Sequence, residues 1–187
     1  MGSLKLPHAS GNSVSIAAPE SNPASDRTLY VPSNANGTIL TNTTPGCILQ
    51  VVQLNLDGGF TTSSTSFTDV SGYTQNITTT GSNKVLVETQ TWISNAAEHF
   101  YSYLKLLRGS TELQQTVRMQ DSIAGAAGGY VGMSVLDSPG AGTHTYKVQF
   151  KTENASNLAK IAIGATAGTS TADTMPDSIL RLMEVAV

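Results

Sequence analysis

Three histidines, His8, His99 and His144, the lone cysteine Cys47 and a thin scatter of carboxylates are the residues of this chain that could do chemistry. The histidines do not stand at zinc-motif spacing, and no HExxH, GxSxG, phosphate-loop or GxGxxG element occurs. A single cysteine excludes an intramolecular disulfide and a thiolate metal cluster. Beside Gly46, Ile48 and Leu49 it reads as a small buried hydrophobe, because an activated thiol needs a base that the sequence does not advertise. Glu88, Glu112, Glu153, Asp173 and Glu184 could in principle pair across strands for glycoside hydrolysis. A cleft with tuned acids normally comes with more charge and more aromatic residues, so the expectation is a protein that is not an enzyme and carries no cofactor or metal. Asp57-Gly58-Gly59 and Asp137-Ser138 resemble turns in which a carboxylate caps its own backbone more than calcium loops. The tyrosines and the single tryptophan could stack on sugar rings, a binding role and not a reactive one.

Composition limits what can position these groups. At 187 residues the chain suggests one globular domain, with or without an appendage. Only 12% of the residues are charged, where about 25% is usual, so solubility rests on hydroxyls and amides. Abundant Thr and Val with Ser, Asn and Gly suits strands and turns; the Ala/Leu/Glu/Lys excess of helical proteins is missing. A net charge of −3 offers no basic footprint for nucleic acid or acidic lipid. No apolar run reaches membrane-span length and the N-terminus lacks a signal-peptide pattern, so neither membrane insertion nor signal-directed secretion is expected. The Asn-x-Ser/Thr sequences at Asn36, Asn42, Asn76 and Asn154 then carry little meaning.

The stretch from Gly129 to Lys151 organises the rest. Tyr146, Val148 and Phe150 alternate with Lys147, Gln149 and Lys151, the pattern of a half-buried strand. Pro139-Gly140-Ala141-Gly142 supplies a reversal, which predicts two antiparallel strands joined as a hairpin. Strands are predicted over Cys47 to Leu56, Ser66 to Val70, Thr74 to Thr79, Lys84 to Ile93, His99 to Arg108, Thr111 to Met119, Leu158 to Ile163 and Ser178 to Val187. In Lys84–Ile93 the face of Val85, Val87, Thr89, Thr91 and Ile93 belongs in a core. Trp92 on the opposite face is covered by a loop or lies at a subunit contact. Tyr101 and Tyr103 form a ladder that suits a subunit interface or receptor surface, or a partly covered sheet face. A last strand that closes the sequence is expected in the middle of a sheet or at an interface, because free ends fray. Short strands with turn signals about every ten residues, without helical periodicity, predict an all-β fold: an antiparallel, jelly-roll-like β-sandwich head over 46–187.

Residues 1–45 are a different material. Pro7, Pro19, Pro23, Pro32 and Pro45 forbid helix. The apolar residues come in alternating pairs, Leu4 with Leu6, Val14 with Ile16 and Leu29 with Val31, each too small to bury anything alone. Two readings fit: a disordered tail, or an extended arm or short shaft whose pairs meet those of sister chains. On the second, Leu4, Leu6, Val14, Ile16, Leu29, Val31, Trp92, Tyr101 and Tyr103 are candidate oligomer contacts. Loops over 95–98, 123–129 and 165–173, carrying Asn95, Glu98, Ala126, Ala165 and Asp173, are candidate receptor-facing segments.

The arm from Ser3 to Pro19 with Asn22 to Leu29, and in the second half Phe67-Thr68-Asp69-Val70, Ser82 to Val87, Leu106 to Thr111, Leu136-Asp137-Ser138-Pro139, Thr145 to Gln149 and Met183-Glu184-Val185-Ala186, resemble tail-fibre and other virion structural proteins of marine bacteriophages, cyanophages above all. The resemblance implies a homotrimeric virion appendage, made without a signal peptide. Its arm would attach to other virion proteins, and its β-sandwich head would contact a host envelope glycan or outer-membrane component. A capsid or tail decoration protein that binds no receptor, and an enzyme acting on envelope polysaccharide, are the alternatives.

Overall fold

The computed structural model describes residues 3–7, 9–17, 44–56, 58–95, 100–120, 127–162 and 178–187. The chain divides into two compact units, Met1–Ile39 and Leu40–Val187.

In the first unit, β1 (Ser3–Pro7) pairs antiparallel with β2 (Ser13–Ala17), setting Leu4 opposite Ile16 and Leu6 opposite Val14. Gly11, at φ +102°, supplies the left-handed residue in the reversal. The two segments therefore pair within one chain, as a hairpin, where the sequence suggested separate extended segments. Half of the Leu6 surface stays exposed. Leu29 and Val31 lie outside the described residues.

The second unit is a sandwich of two antiparallel sheets. Its strands are β3 (Ile48–Leu56), β4 (Phe60–Thr62), β5 (Thr68–Thr79), β6 (Lys84–Asn95), β7 (Phe100–Arg108), β8 (Thr111–Gln120), β9 (Ala127–Asp137), β10 (Gly142–Thr152), β11 (Ala159–Ile161) and β12 (Ser178–Val185). One sheet runs β5-β10-β7-β8. In the other, β6 has β9 along one side and β12 followed by β11 along its other side, with β3 and β4 outermost. Apart from the β7–β8 hairpin, the chain passes from one sheet to the other between β5 and β10, and β12 lies beside β3, which is jelly-roll connectivity. As its closing position suggested, β12 is an inner strand, paired with β3 and with β6. The seam where β12 gives way to β11 is sealed at Trp92, whose N–H donates to Ser178 Oγ (3.0 Å) and whose carbonyl accepts from Ala162 N–H (3.0 Å).

Alternation places the core as expected. Val85, Val87, Thr89, Thr91 and Ile93 are buried and face Tyr146, Val148, Phe150, Leu104 and Leu106 of the other sheet. The predicted segments 66–70 and 74–79 are one strand, β5, interrupted by a bulge: Lys147 pairs with Thr74 but Gln149 with Asp69. Gly72 at φ +77° sits in that bulge, which shifts the alternation so that Val70 and Tyr73 both turn inward. The buried Tyr73 hydroxyl donates to the Ile179 carbonyl (2.8 Å) and shares a hydrogen bond with Thr91 Oγ1 (2.9 Å). Burial pushes its phenol pKa well above the usual range.

The organising stretch departs from expectation. β9 and β10 do not pair; β9 joins β6, and β10 joins β5 and β7. The segment 138–141 is an arch between the sheets, whose separation of about 10 Å exceeds the width of a hairpin. Asp137 is not a turn cap. Its buried Oδ2 accepts from Arg108 Nη1 (2.8 Å) and from the Tyr146 hydroxyl (2.7 Å), joining β9 of one sheet to β7 and β10 of the other.

Candidate binding surfaces

Among the described residues, the carboxylates weighed for hydrolysis take separate, non-carboxylate partners. Glu112 pairs with Lys105 (2.8 Å), Glu88 with Arg181 (3.5 Å), and Glu153 Oε2 accepts from Tyr101 N–H (3.2 Å). Glu184, 3% exposed, accepts from Thr80 N–H (2.8 Å), Asn83 Nδ2 (2.8 Å) and Gln50 Nε2 (2.6 Å). Burial alone would raise its pKa; these donors more than offset that and hold it below the ordinary value. Asp173, His8 and His99 lie outside the described residues, and the His144 ring hydrogen-bonds Gly140 O (3.0 Å). Cys47 is half-buried rather than buried.

The outer faces of both sheets carry exposed apolar and aromatic groups. On the β5-β10-β7-β8 face, Tyr101 sits opposite Met119 and Tyr103 opposite Val117. Tyr101 is 36%, Val117 50% and Met119 56% exposed, so the tyrosine ladder continues onto β8 as an open apolar strip. Lys151 lies over the Tyr103 ring (4.7 Å) and, with Lys105 (4.3 Å), over Phe67, so the strip is flanked by amines held on aromatic faces. Beside them Lys147 and Gln149 both reach Asp69, and these hydrogen bonds hold its carboxyl below the ordinary range.

The opposite face carries a second strip. Register aligns Val51, Met183, Leu86 and Leu136 in one row across β3, β12, β6 and β9. Val51 and Leu136 are each more than half exposed. The next rows are polar: Gln53, Arg181, Glu88 and Ser134, then Asn55, Ile179, Gln90 and Gly132. Here lies an open groove of about 470 Å³, lined by Glu88, Gln90, Tyr130, Gly132, Ser134, Ile179 and Arg181 among others. Arg181 is held by two partners, donating from Nε to Gln53 Oε1 (2.9 Å) and pairing through Nη1 with Glu88.

Trp92 bounds this region. It is half-buried, set edge-on to Tyr130 with ring centroids 5.2 Å apart at 78°, and lies over Gly128, where a Cβ would come within 2.6 Å of Cζ2. Its cover is thus the neighbouring strand of its own sheet, not a loop. Asn95 is also not in a loop; it is the last residue of β6, paired with Ala127 and Ala159. Glu98, Ala126 and Ala165 lie outside the described residues, and Gly128 and Gly129, read as loop, belong to β9. Sequence reasoning missed Tyr130, Gly132 and Arg181. Alternation already put Glu88, Gln90 and Trp92 on one face, but no local signal says which strands flank them.

Neither a family model nor a curated protein matches the chain by sequence. Among solved structures it is similar to the Eiger TNF of S. frugiperda, at 11% identity and TM-score 0.45, over 76% of this chain and 94% of that one. It is also similar to structures of infectious bursal disease virus: the Gx strain (10% identity, TM-score 0.42) and the VP2 subviral particle (12%, 0.38), each over 94% of this chain. The chain spans 43% and 47% of those two viral chains.

Proposed function

We propose that this chain is a structural virion protein, a homotrimeric tail fibre or spike of bacteriophage type. Its N-terminal unit attaches to other virion proteins and its jelly-roll head contacts the host surface. The observation that carries this reading is the pair of unlike apolar strips, Tyr101/Tyr103/Val117/Met119 on one sheet and Val51/Met183/Leu86/Leu136 on the other. A cyclic trimer is built from heterologous contacts, in which one patch of a subunit meets a different patch of the next, so it calls for two such surfaces. The sequence resemblance to phage fibres, which spans nearly the whole chain, supports the same reading. Three heads per fibre raise a weak single-site affinity through effective concentration.

Light scattering after size exclusion tests the assembly. A trimer mass is expected for the purified chain, and a monomer at micromolar concentration would refute it. Binding to host cells tests the attachment: a host-specific signal supports adhesion, and its absence assigns the protein to decoration of the particle.

A further inference from the structure

We infer that the groove on the outer face of the β12-β6-β9 sheet is a binding site for a neutral saccharide. This deepens the host-contact reading above by naming the ligand class and the residues that take it. Each wall matches one feature of an uncharged sugar. Such a ring has apolar faces made of C–H groups and a rim of hydroxyls that both donate and accept. Tyr130, 39% exposed and braced edge-on by Trp92, offers an aromatic surface for a C–H face, and Ile179 adds apolar contact opposite. Glu88, Gln90, Ser134 and Arg181 supply carboxylate, amide, hydroxyl and guanidinium groups to the rim. Arg181 is already fixed by Gln53 and Glu88, so little side-chain freedom is lost when a hydroxyl docks.

Gly132 makes the space. It is the cross-strand partner of Gln90 and lines the groove beside it, so any side chain there would stand in the groove. At about 470 Å³ the volume falls within the roughly 300–1,000 Å³ of small-ligand sites, and its open form suits a segment of a longer chain entering and leaving. Other ligand classes fit less well. The Glu88 carboxylate beside Arg181 cancels the charge that would draw a phosphate or a nucleic acid, and the polar rim disfavours a purely apolar guest.

Trp92 is the sole tryptophan and touches Tyr130, so its fluorescence reports on the groove directly. The test titrates the full chain with methyl glucosides, galactosides and mannosides and with neutral oligosaccharides of the same sugars. Trp92 emission and ligand-observed saturation-transfer NMR are the readouts. Saturable binding in the millimolar range is expected for at least one series. Tyr130→Ala and, separately, Gly132→Leu should each weaken it at least tenfold. Gly132→Leu guards against misfolding, because a Cβ there meets nothing nearer than Thr89 O at 3.5 Å.

Absence of saturation with every neutral probe would overturn the inference, as would binding that both variants leave intact or a response confined to uronic or sulfated sugars. The two readings fail separately. Wild-type cell binding by Gly132→Leu removes the groove but leaves adhesion standing, whereas saccharide binding without cell binding keeps the groove and removes host contact.

Discussion

Replacing Asp137 with alanine removes a carboxylate oxygen at which both sheets meet. Asp137 Oδ2 accepts from Arg108 Nη1 at 2.8 Å and from the Tyr146 hydroxyl at 2.7 Å; Asp137 is 9% exposed and the Arg108 side chain 25%. Breaking a fully buried ion pair from one side costs about 3–5 kcal/mol, since the remaining charge is left unpaired. A quarter of Arg108 still reaches water, which points to the lower end, about 3 kcal/mol, including the stranded hydroxyl of a fully buried tyrosine. For a chain of this size that corresponds to a fall in Tm of about 6–12 °C. Urea unfolding followed by circular dichroism should show a lower midpoint at unchanged m. Tyr146→Phe removes one hydrogen bond and keeps the ion pair, so its loss should be smaller, about 1–2 kcal/mol. A loss below about 1 kcal/mol for Asp137→Ala, or a Tyr146→Phe loss equal to it, would refute the claim that this carboxylate ties the sheets together.

Glu184→Gln should cost about 2 kcal/mol by weakening hydrogen bonds made to a charged acceptor. Because the folded pKa of Glu184 lies below its ordinary 4.5, its contribution is present above that pH and is lost as pH falls through the folded value; midpoints measured from pH 7 down to pH 3 should converge for wild type and variant. Tyr73 and Tyr146 are shifted upward, by burial in both and by Asp137 as well for Tyr146, so their contribution holds below about pH 10 and is lost as pH rises above it. In an alkaline absorbance titration, two of the six tyrosines should therefore ionise only as the protein unfolds. Gly128→Ala should displace the Trp92 ring, shift its emission and destabilise the head by about 1–3 kcal/mol. Replacing Tyr103 and Val117 together by serine should leave the head folded by circular dichroism and lower the assembly's mass in light scattering.

Much of the fold was legible in the residues because a strand's two faces repeat every second residue. The alternation in Lys84–Ile93 and Tyr146–Phe150 assigned core and surface correctly, and glycines marked the reversals at 81 and 109. Three features were not legible. A bulge adds residues without altering composition, so β5 read as two strands. A Pro-Gly loop reads alike whether it closes a hairpin or arches between sheets, so β9 and β10 looked paired. Asp137 resembled a turn residue because its partners, Arg108 and Tyr146, come from strands whose neighbourhood no local pattern encodes.

The same division holds for the binding surfaces. Sequence alone determined that Glu88, Gln90 and Trp92 share one face, that Tyr101 and Tyr103 share another, and that the chain lacks the common catalytic and metal-binding motifs. Only the tertiary structure decided that Arg181 and Ile179 flank that face on one side and Tyr130, Gly132 and Ser134 on the other. The physical reason is that side-chain alternation is a property of a single strand, whereas lane order and register arise from how the whole sandwich buries its apolar faces.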